Sequence, residues 1–357
     1  MNSIPAIISV LITGILLTGC MSKSKDDISV KKPTDIHTPS FTHKEANGIY
    51  YWKTTLDLDD KDYNYLNSLN VDRLYLRLFD IVSDKSPLAK DAIIPNATLQ
   101  VNDSVRLKSV VPTIFITLEA LKAMKGSERV WAKKIVDRVN NMCLYNNLGN
   151  LNEIQLDCDW TKDTESVYFE LCKKIKESLL SKNPNAGVSS TIRLHQLAQP
   201  APPVDYGVLM LYNTGSFKNI DSDNSILSVA DVEPYIKNLH NYPLHLDFAY
   251  PTYSWSLIYR DGNFWGILRN DIADFGKSIR KISHNKHIVE KDIIVNEVVF
   301  HKGDIIRHET SPYTTIMEVK RLIESHTSDK KHSNIIYHYD PQNLSKYSDE
   351  EIASVFI

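Results

Sequence analysis

The sequence contains little of several features that often reveal what a protein does. Only 4 of its 357 residues are cysteine and 12 are glycine. It has no glycine-rich phosphate loop, no dinucleotide fingerprint and no Gly-x-Ser-x-Gly nucleophile elbow, which excludes the functions that those motifs mark. It also lacks an excess of charge of one sign, since 41 basic and 44 acidic residues leave a net charge of −3. We therefore expect no nucleic-acid partner, because nucleic-acid binding requires a basic face.

Cysteine is too scarce for a disulfide framework. Apart from Cys20, the chain has Cys143, Cys158 and Cys172, an odd number without the close spacing of a metal site. All three lie in or beside apolar segments, so we interpret them as small core residues. The pair His284-x-x-His287 has no carboxylate support, so the sequence predicts no metal site and no cofactor.

Long hydrophobic runs are also missing, except for one at residues 4–17. This run is too short for a transmembrane helix, which needs about 20 apolar residues, but it suits the core of a secretory signal. It ends in Leu17-Thr18-Gly19-Cys20, which resembles the lipobox of bacterial lipoproteins. The resemblance implies that residues 1–19 are a cleaved signal peptide and that Cys20 is acylated, for example by palmitate. An uncleaved signal anchor is the alternative.

Residues 20–45 are rich in Ser, Lys, Asp, Thr and Pro and are predicted to be a flexible tether. The protein would then be anchored by lipid to a membrane of the bacterial cell envelope, with the outer membrane as the expected location. Lys25-Asp26-Asp27 is similar to the short signal that sends some Bacteroidetes lipoproteins to the cell surface. An ordinary hydrophilic linker explains these three residues equally well.

The remaining chain, residues 46–357, alternates β-rich runs with amphipathic helical stretches. Such alternation predicts a parallel sheet, and eight repeats predict an α/β fold of the (β/α)₈ TIM-barrel type. Between the seventh and eighth strands, Asp261-Gly262 and Gly303-Asp304 predict turns of an inserted antiparallel β element at about 255–310. The predicted barrel strands are 48–52, 73–81, 110–117, 153–159, 187–193, 206–211, 244–249 and 334–339.

Strand alternation predicts an unusually polar barrel interior. If the apolar residues face the helices, the other set faces inward, as it does in barrels generally. Barrel interiors are usually filled by Val, Ile and Leu, and buried charges are costly unless paired. A polar interior therefore indicates a site, although a purely structural Arg–Asp network is the alternative. The predicted inward-facing residues are Tyr75, Arg77, Phe79, Gln155, Asp157, Asp159, Ser189, Thr191, Arg193, Met210, Tyr212, His245 and Asp247.

Two strand motifs carry a family resemblance. Asn152-x-x-Gln155-x-Asp157-x-Asp159 is similar to the Asp-x-x-Asp-x-Asp-x-Glu strand of family 18 glycoside hydrolases, the chitinase family. Met210-Leu211-Tyr212-Asn213 resembles the Met-x-Tyr-Asp/Asn motif of the same family, on the same strand number. Outside these motifs the chain resembles uncharacterised Bacteroidetes TIM-barrel lipoproteins, which start with Tyr-Tyr-Trp-Lys, here residues 50–53.

The resemblance implies a substrate-assisted glycosidase acting on N-acetylhexosamine-containing glycans, in which the sugar's own N-acetyl group attacks the anomeric carbon. Asp159 would be the acid/base, while Asp157 would orient the N-acetyl group and tune that acid. Tyr212 would hydrogen-bond the N-acetyl carbonyl, and Asn213 would line the sugar subsite. Residues i and i+2 of a strand point the same way, and two close carboxylates have split pKa values.

Aromatic and polar residues at the strand ends suggest further contacts to a sugar. Rings above a barrel mouth can stack on sugar faces, and a few polar groups fix orientation. Packing of the insertion onto the barrel is the alternative role for these rings. The predicted substrate-binding residues are Gln155, Asn213, Arg77, Arg193, Asp247, Trp52, Trp160, Tyr250 and Trp255.

The sequence departs from the family pattern at three points. The acid position is Asp159, one methylene shorter than Glu, and a misplacement of about 1 Å can cost on the order of 100-fold in rate. Asn152 and Gln155 replace the first two Asp of the motif. The eighth strand has no Trp. A possible glycoside hydrolase is therefore weighed against two alternatives: a non-catalytic glycan-binding lipoprotein and a structural or assembly lipoprotein.

Overall fold

The computed structural model describes residues 41–84, 93–268, 272–295, 297–327 and 331–357. The described residues form one compact unit. The predicted signal peptide, Cys20, Lys25-Asp26-Asp27 and most of the predicted tether lie outside the described residues. Among the described helices, none has the length and apolar character needed to cross a membrane.

Eight parallel strands, numbered β1 to β8, form a closed barrel as predicted. Each strand pairs with its neighbours, and β1 pairs with both β2 and β8, which closes the sheet. The strands are β1 Asn47–Tyr51, β2 Val71–Ser83, β3 Ser109–Ile116, β4 Glu153–Asp157, β5 Gly187–Arg193, β6 Tyr206–Met210, β7 Leu246–Pro251 and β8 Asn334–Tyr337.

Helices cover the outside of the barrel and complete one continuous hydrophobic core. They are Asp60–Ser68, Leu118–Ala123, Glu128–Tyr145, Glu165–Leu180, Val229–Ile236, Tyr313–His326, Pro341–Leu344 and Asp349–Phe356, with 3₁₀ turns at Leu194–Ala198, Leu239–Asn241 and Ile272–Ser278. Cys143, Cys158 and Cys172 are buried with free thiols, which confirms their interpretation as core residues.

The interior is polar, and most of the predicted inward side chains lie there. One prediction is wrong. Phe79 faces the helices, where the Arg138 guanidinium lies 4.9 Å from its ring centre. The cause is an irregularity in β2 between Arg77 and Phe79, which breaks the alternation of side chains. Asp80 instead pairs with Arg77.

The predicted inserted β element lies between β7 and β8. Its five-stranded antiparallel sheet contains Trp255–Arg260, Asn263–Leu268, Ile279–Lys281, Lys286–Val289 and Ile305–Glu309, and a two-stranded sheet contains Ile293–Val295 and Val298–Phe300. Asp261 and Gly262 both have positive φ, at 51° and 74°, which fits the predicted two-residue hairpin turn. Gly303 also has a positive φ, but the strand after it pairs with Trp255–Arg260 and Lys286–Val289 instead of the strand before it.

Three short strands are additional to the eight barrel strands and the insertion. Ile93–Asn96 extends the end of β2 antiparallel, while Thr55–Leu56 pairs with Gln100–Val101. At the end of the barrel where the strands begin, the last residues of the predicted tether pack against the barrel. The Phe41 and His43 rings stack on Tyr206, with centroids 6.2 and 4.1 Å from its ring.

Candidate functional site

An aromatic cleft opens at the C-terminal ends of the barrel strands. Its volume is about 540 Å³, within the range typical of small-ligand sites. Five rings line it, contributed by the ends of β1, β6 and β8 and by the segment that leads from β7 into the insertion. These rings belong to Trp52, Tyr212, Tyr253, Trp255 and Tyr337.

Tyr337 and Tyr212 form the centre of this ring cluster. Their rings stack with centroids 4.2 Å apart, and Tyr253 meets the Tyr212 ring edge-on at 6.0 Å. The Tyr253 hydroxyl donates a 2.7 Å hydrogen bond to Asn213 Oδ1, and Asn213 has a left-handed φ of 53°. The predicted residues Tyr212 and Asn213 are therefore held in place by aromatic contacts and a side-chain hydrogen bond.

The polar rim of the cleft comes from segments that are distant in sequence. His308 lies on the insertion, whereas Asp340, Asn343 and Lys346 follow β8. Burial alone would raise the pKa of Asp340, but the Asn343 backbone amide and Lys53 lower it below its ordinary value. The rim can therefore offer a carboxylate, an amide and an ammonium group to a polar ligand.

Arg193 binds both carboxylates of the β4 motif. Its Nη2 lies 3.1 Å from Asp157 Oδ1, and its Nε donates a short hydrogen bond to Asp159 Oδ1. Thr191 donates a further 2.6 Å hydrogen bond to Asp157. Asp157 is buried, whereas the Asp159 side chain is 53% exposed. Both predicted catalytic carboxylates thus share one guanidinium at the end of β5.

Burial and opposite charges set the electrostatics of the triad formed by Arg193, Asp157 and Asp159. Burial raises the pKa of Asp157, Arg193 opposes that shift, and the neighbouring Asp159 charge adds to it. Burial works against the charged form of Arg193. Its neighbours Asp157, Tyr212 and Asp159 nevertheless raise the pKa of Arg193 well above its ordinary value. Arg193 therefore stays protonated.

The triad lies beside the cleft but does not line it. The Arg193 guanidinium lies 5.7 Å from the centre of the Tyr212 ring, so Tyr212 contacts both. The predicted binding residues Trp52, Arg77, Asn213 and Trp255 line the cleft, and so does Tyr212, which was predicted to be catalytic. Asp157, Asp159 and Arg193 are not among its lining residues.

Gln155 lies deeper in the barrel than the cleft. Its Oε1 accepts a 2.8 Å hydrogen bond from the buried Tyr50 hydroxyl, and its Nε2 lies 3.5 Å from Ser189 Oγ. Arg77 sits nearer the mouth, paired with Asp80 and 5.4 Å from the centre of the Trp52 ring. Gln155 therefore supports the floor of the site from below.

Besides Gln155 and Arg193, the structure places three more predicted binding residues outside the lining of the cleft. Trp160 is fully buried, because its ring stacks on Tyr168 of the helix Glu165–Leu180. Tyr250 is also fully buried. Asp247 lies near the beginning of β7, at the opposite end of the barrel, where it accepts a hydrogen bond from the Ser333 amide. None of these three side chains can contact a ligand in the cleft.

Sequence reasoning missed the residue at the centre of the ring cluster. Tyr337 occupies the end of β8, the strand on which the family pattern places a Trp that this sequence lacks. Its aromatic side chain at a strand end was the signal that could have identified it. His308, Asn343 and Lys346 carried no such signal, because they reach the cleft from the insertion and from the segment after β8.

Comparison with known proteins gives structural matches only. No protein-family model matches the sequence, and no curated protein matches it either. The spore cortex-lytic enzyme SleL from Bacillus cereus aligns with 12% identity over 88% of this chain and 75% of its own, at a TM-score of 0.50.

Two further solved structures align at slightly lower TM-scores. A glycoside hydrolase family 18 N-acetylglucosaminidase from Paenibacillus barengoltzii has 10% identity, coverage of 88% and 100% of the two chains, and a TM-score of 0.48. A chitinase from Bacteroides thetaiotaomicron has 11% identity, coverage of 88% and 97%, and a TM-score of 0.49.

The SleL alignment agrees with the family resemblance of the strand motifs at the level of fold. The closed eight-stranded barrel is the fold shared with SleL. The chain thus has a glycoside hydrolase-like TIM barrel. At 12% identity the likeness concerns the fold alone, because one barrel fold supports many unrelated activities.

Proposed function

We propose that the protein binds a glycan in the aromatic cleft at the barrel mouth without hydrolysing it through Asp159. The observation that carries this proposal is the ring cluster of Trp52, Tyr212, Tyr253, Trp255 and Tyr337 around a cleft of about 540 Å³. Aromatic faces with polar groups at the rim suit the apolar faces and hydroxyl edges of a sugar.

The Arg193 contacts argue against catalysis. A general acid must present a proton to the leaving group. Asp159 Oδ1 instead accepts a hydrogen bond from Arg193 Nε, so this oxygen is held by the protein and not turned toward a ligand in the cleft. The proposed role of the triad is to hold the end of β4 and to support Tyr212 through Arg193.

N-acetylhexosamine-containing glycans are the proposed ligand class. The Tyr212-Asn213 pair matches the family 18 motif that contacts the N-acetyl sugar, and both residues line the cleft. The aligned N-acetylglucosaminidase and chitinase are named for activities on such sugars. The sugar linkage and chain length are left to experiment.

Calorimetry with oligosaccharides of N-acetylglucosamine tests the binding proposal. Trp52→Ala removes a ring of the cleft, so we expect its Kd to rise about tenfold, the effect of truncating a ring that contributes more than 1 kcal/mol. Trp265→Ala is the matched control, because this Trp is 48% exposed on the insertion and does not line the cleft. Equal affinities of both variants would contradict the proposal.

Hydrolysis is the second candidate function, and one observation favours it. The Asp159 side chain is half exposed at the mouth, so movement of Arg193 would leave a carboxylate accessible to substrate. Incubation of the wild type and Asp159→Asn with the same oligosaccharides separates the two candidates. Sugar release by the wild type that Asp159→Asn abolishes would establish hydrolysis and overturn the binding-only proposal.

We also propose that the protein is a lipid-anchored lipoprotein of the bacterial cell envelope, with Cys20 as the acylated residue. The support is the lipobox-like sequence at residues 17–20. Labelling of cells with a palmitate analogue should mark the wild type but not Cys20→Ala. Protease treatment of intact cells would then distinguish a surface location from a periplasmic one.

A further inference from the structure

Three potential metal ligands meet at the N-terminal end of the barrel, opposite the cleft. His43 precedes β1, His245 immediately precedes β7, and Asp247 lies within β7. One ligand atom from each lies within 4.8 Å of the other two. His43 and Asp247 are separated by 204 positions in sequence, so only closure of the barrel brings His43 to the other two ligands.

Two of the three distances between these ligand atoms fit a small transition-metal ion. His43 Nε2 lies 3.2 Å and His245 Nε2 lies 3.4 Å from the same atom, Asp247 Oδ1. In a tetrahedral zinc site with bonds of about 2.0–2.1 Å, two ligand atoms are about 3.3 Å apart. Both carboxylate–imidazole distances therefore already match those of a bound ion.

Hydrogen bonding at Asp247 is unevenly distributed. Oδ1 accepts from the Ser333 amide at 2.7 Å and also faces both imidazoles. Among the described residues, no group hydrogen-bonds to the buried Oδ2 of the same carboxylate. A fully buried carboxylate normally uses both oxygens, so this one keeps an unused acceptor oxygen at the cluster.

We propose that His43, His245 and Asp247 bind one divalent transition-metal ion of the zinc type, with water completing its coordination. Two imidazoles and one carboxylate are a ligand set that zinc uses when one position stays open. His43 and His245 are 15% and 23% exposed, so an ion can enter from solvent at the barrel end. This proposal is independent of glycan binding.

Neighbouring side chains hold His43 and the segment around it in place. The His43 ring stacks on Tyr206, whose hydroxyl donates a 2.5 Å hydrogen bond to the buried Glu153. Arg73 donates to the Lys44 carbonyl at 2.8 Å and lies close enough to Glu153 to affect its pKa.

A bound ion would attach the segment before β1 to the barrel. His43 belongs to this segment, whereas the other two ligands belong to the strand β7 and its start. An ion that binds the folded state and not the unfolded chain stabilises it by mass action. The expected role is therefore structural, because the active sites of TIM barrels lie at the other end, where the strands finish.

Titration of the chelator-stripped full chain with zinc chloride tests the proposal. We expect one saturable equivalent per chain, a rise in Tm of several degrees and slower amide exchange in residues 41–46. Cobalt(II) chloride should give the visible absorption of a tetrahedral site with N and O ligands. Absence of a saturable equivalent in the wild type would overturn the proposal.

Matched histidine variants locate the ion. His43→Gln and His245→Gln each remove one imidazole, and we expect each to weaken zinc binding at least tenfold and to abolish the Tm shift. His240→Gln is the control, because His240 is exposed and lies outside the cluster. Unchanged zinc affinity in both ligand variants would place the ion elsewhere and overturn the assignment, whether or not glycan binding is observed.

Discussion

At the scale of single residues, Arg193 links the two parts of the candidate site. It binds Asp157 and Asp159 and lies over the Tyr212 ring, so one side chain connects the β4 motif to the cleft. The sequence predicted Arg193 as a substrate contact, and the same residue also supplied the alternative of a structural Arg–Asp network. The structure gives it the contacts of that network beside the aromatic cleft.

Removing Arg193 should leave a buried carboxylate without its cation. Arg193→Gln is expected to lower the free energy of unfolding by about 3 kcal/mol, as is typical when one partner of a buried pair is lost. Adding Asp157→Asn should restore part of that loss, since the uncompensated charge is then removed. Urea denaturation measures both. Arg106→Gln, which breaks an exposed pair with Asp60, is the control and should change stability little.

Two buried tyrosine hydroxyls provide a matched comparison. Tyr50 donates to Gln155 at 2.8 Å, whereas the Tyr250 hydroxyl, among the described residues, has no hydrogen-bond partner. Tyr50→Phe should lower the free energy of unfolding by about 1–3 kcal/mol, because Gln155 loses a buried partner. Tyr250→Phe should be neutral or stabilising. Equal losses in thermal or urea denaturation would contradict this account of the polar interior.

At the scale of elements, local chemistry explains both the agreements and the one strand error. The barrel strands follow the predicted β-rich runs to within two residues at each end, and Asp261-Gly262 forms the predicted hairpin turn. In β2, however, the irregularity between Arg77 and Phe79 turns Phe79 toward the helices. Alternation cannot anticipate such a break, because it depends on how neighbouring strands pair.

The insertion contains an ion pair whose contribution should depend on pH. Arg260 donates to both oxygens of Asp304 at 2.9 and 2.7 Å, and the His301 amide also donates to it. Burial alone would raise the pKa of Asp304, but these donors lower it below its ordinary value. The stabilisation is therefore present above the unfolded pKa of about 3.9 and is lost as pH falls through the lower folded pKa.

Asp304→Asn tests this pH dependence. The variant should be less stable than the wild type at pH 7, and the difference between their Tm values should shrink below about pH 4. Amide exchange should locate the loss in residues 255–309. A difference in Tm that stays constant from pH 7 to pH 3 would show that the Asp304 charge contributes nothing.

At the scale of the whole molecule, the N-terminal end of the barrel is closed by a segment that composition had assigned to the tether. Phe41 lies directly over Gly187, the first residue of β5, and a Cβ added there would meet the Phe41 ring at 2.4 Å. This close approach explains why glycine occupies that position. Residues 41–45 therefore pack as part of the barrel unit.

Gly187→Ala should displace Phe41 and open this end of the barrel. We expect a lower Tm and faster proteolysis within residues 41–46, because the methyl group and the ring cannot share the space. In a Phe41→Ala background, Gly187→Ala should cost less stability than it costs in the wild type. Gly266→Ala is the control, since a Cβ there meets nothing within 4 Å.

The sequence by itself determined the class of the fold, since β/α alternation, hydrophobic periodicity and turn residues are local properties of the chain. It also placed Trp52, Tyr212, Asn213 and Trp255 at the mouth, because strand ends converge on one face of a barrel. Only the tertiary structure decided which polar groups meet. Arg193 with Asp159, Tyr337 with Tyr212, and His43 with Asp247 are pairings between distant segments, fixed when the barrel closes.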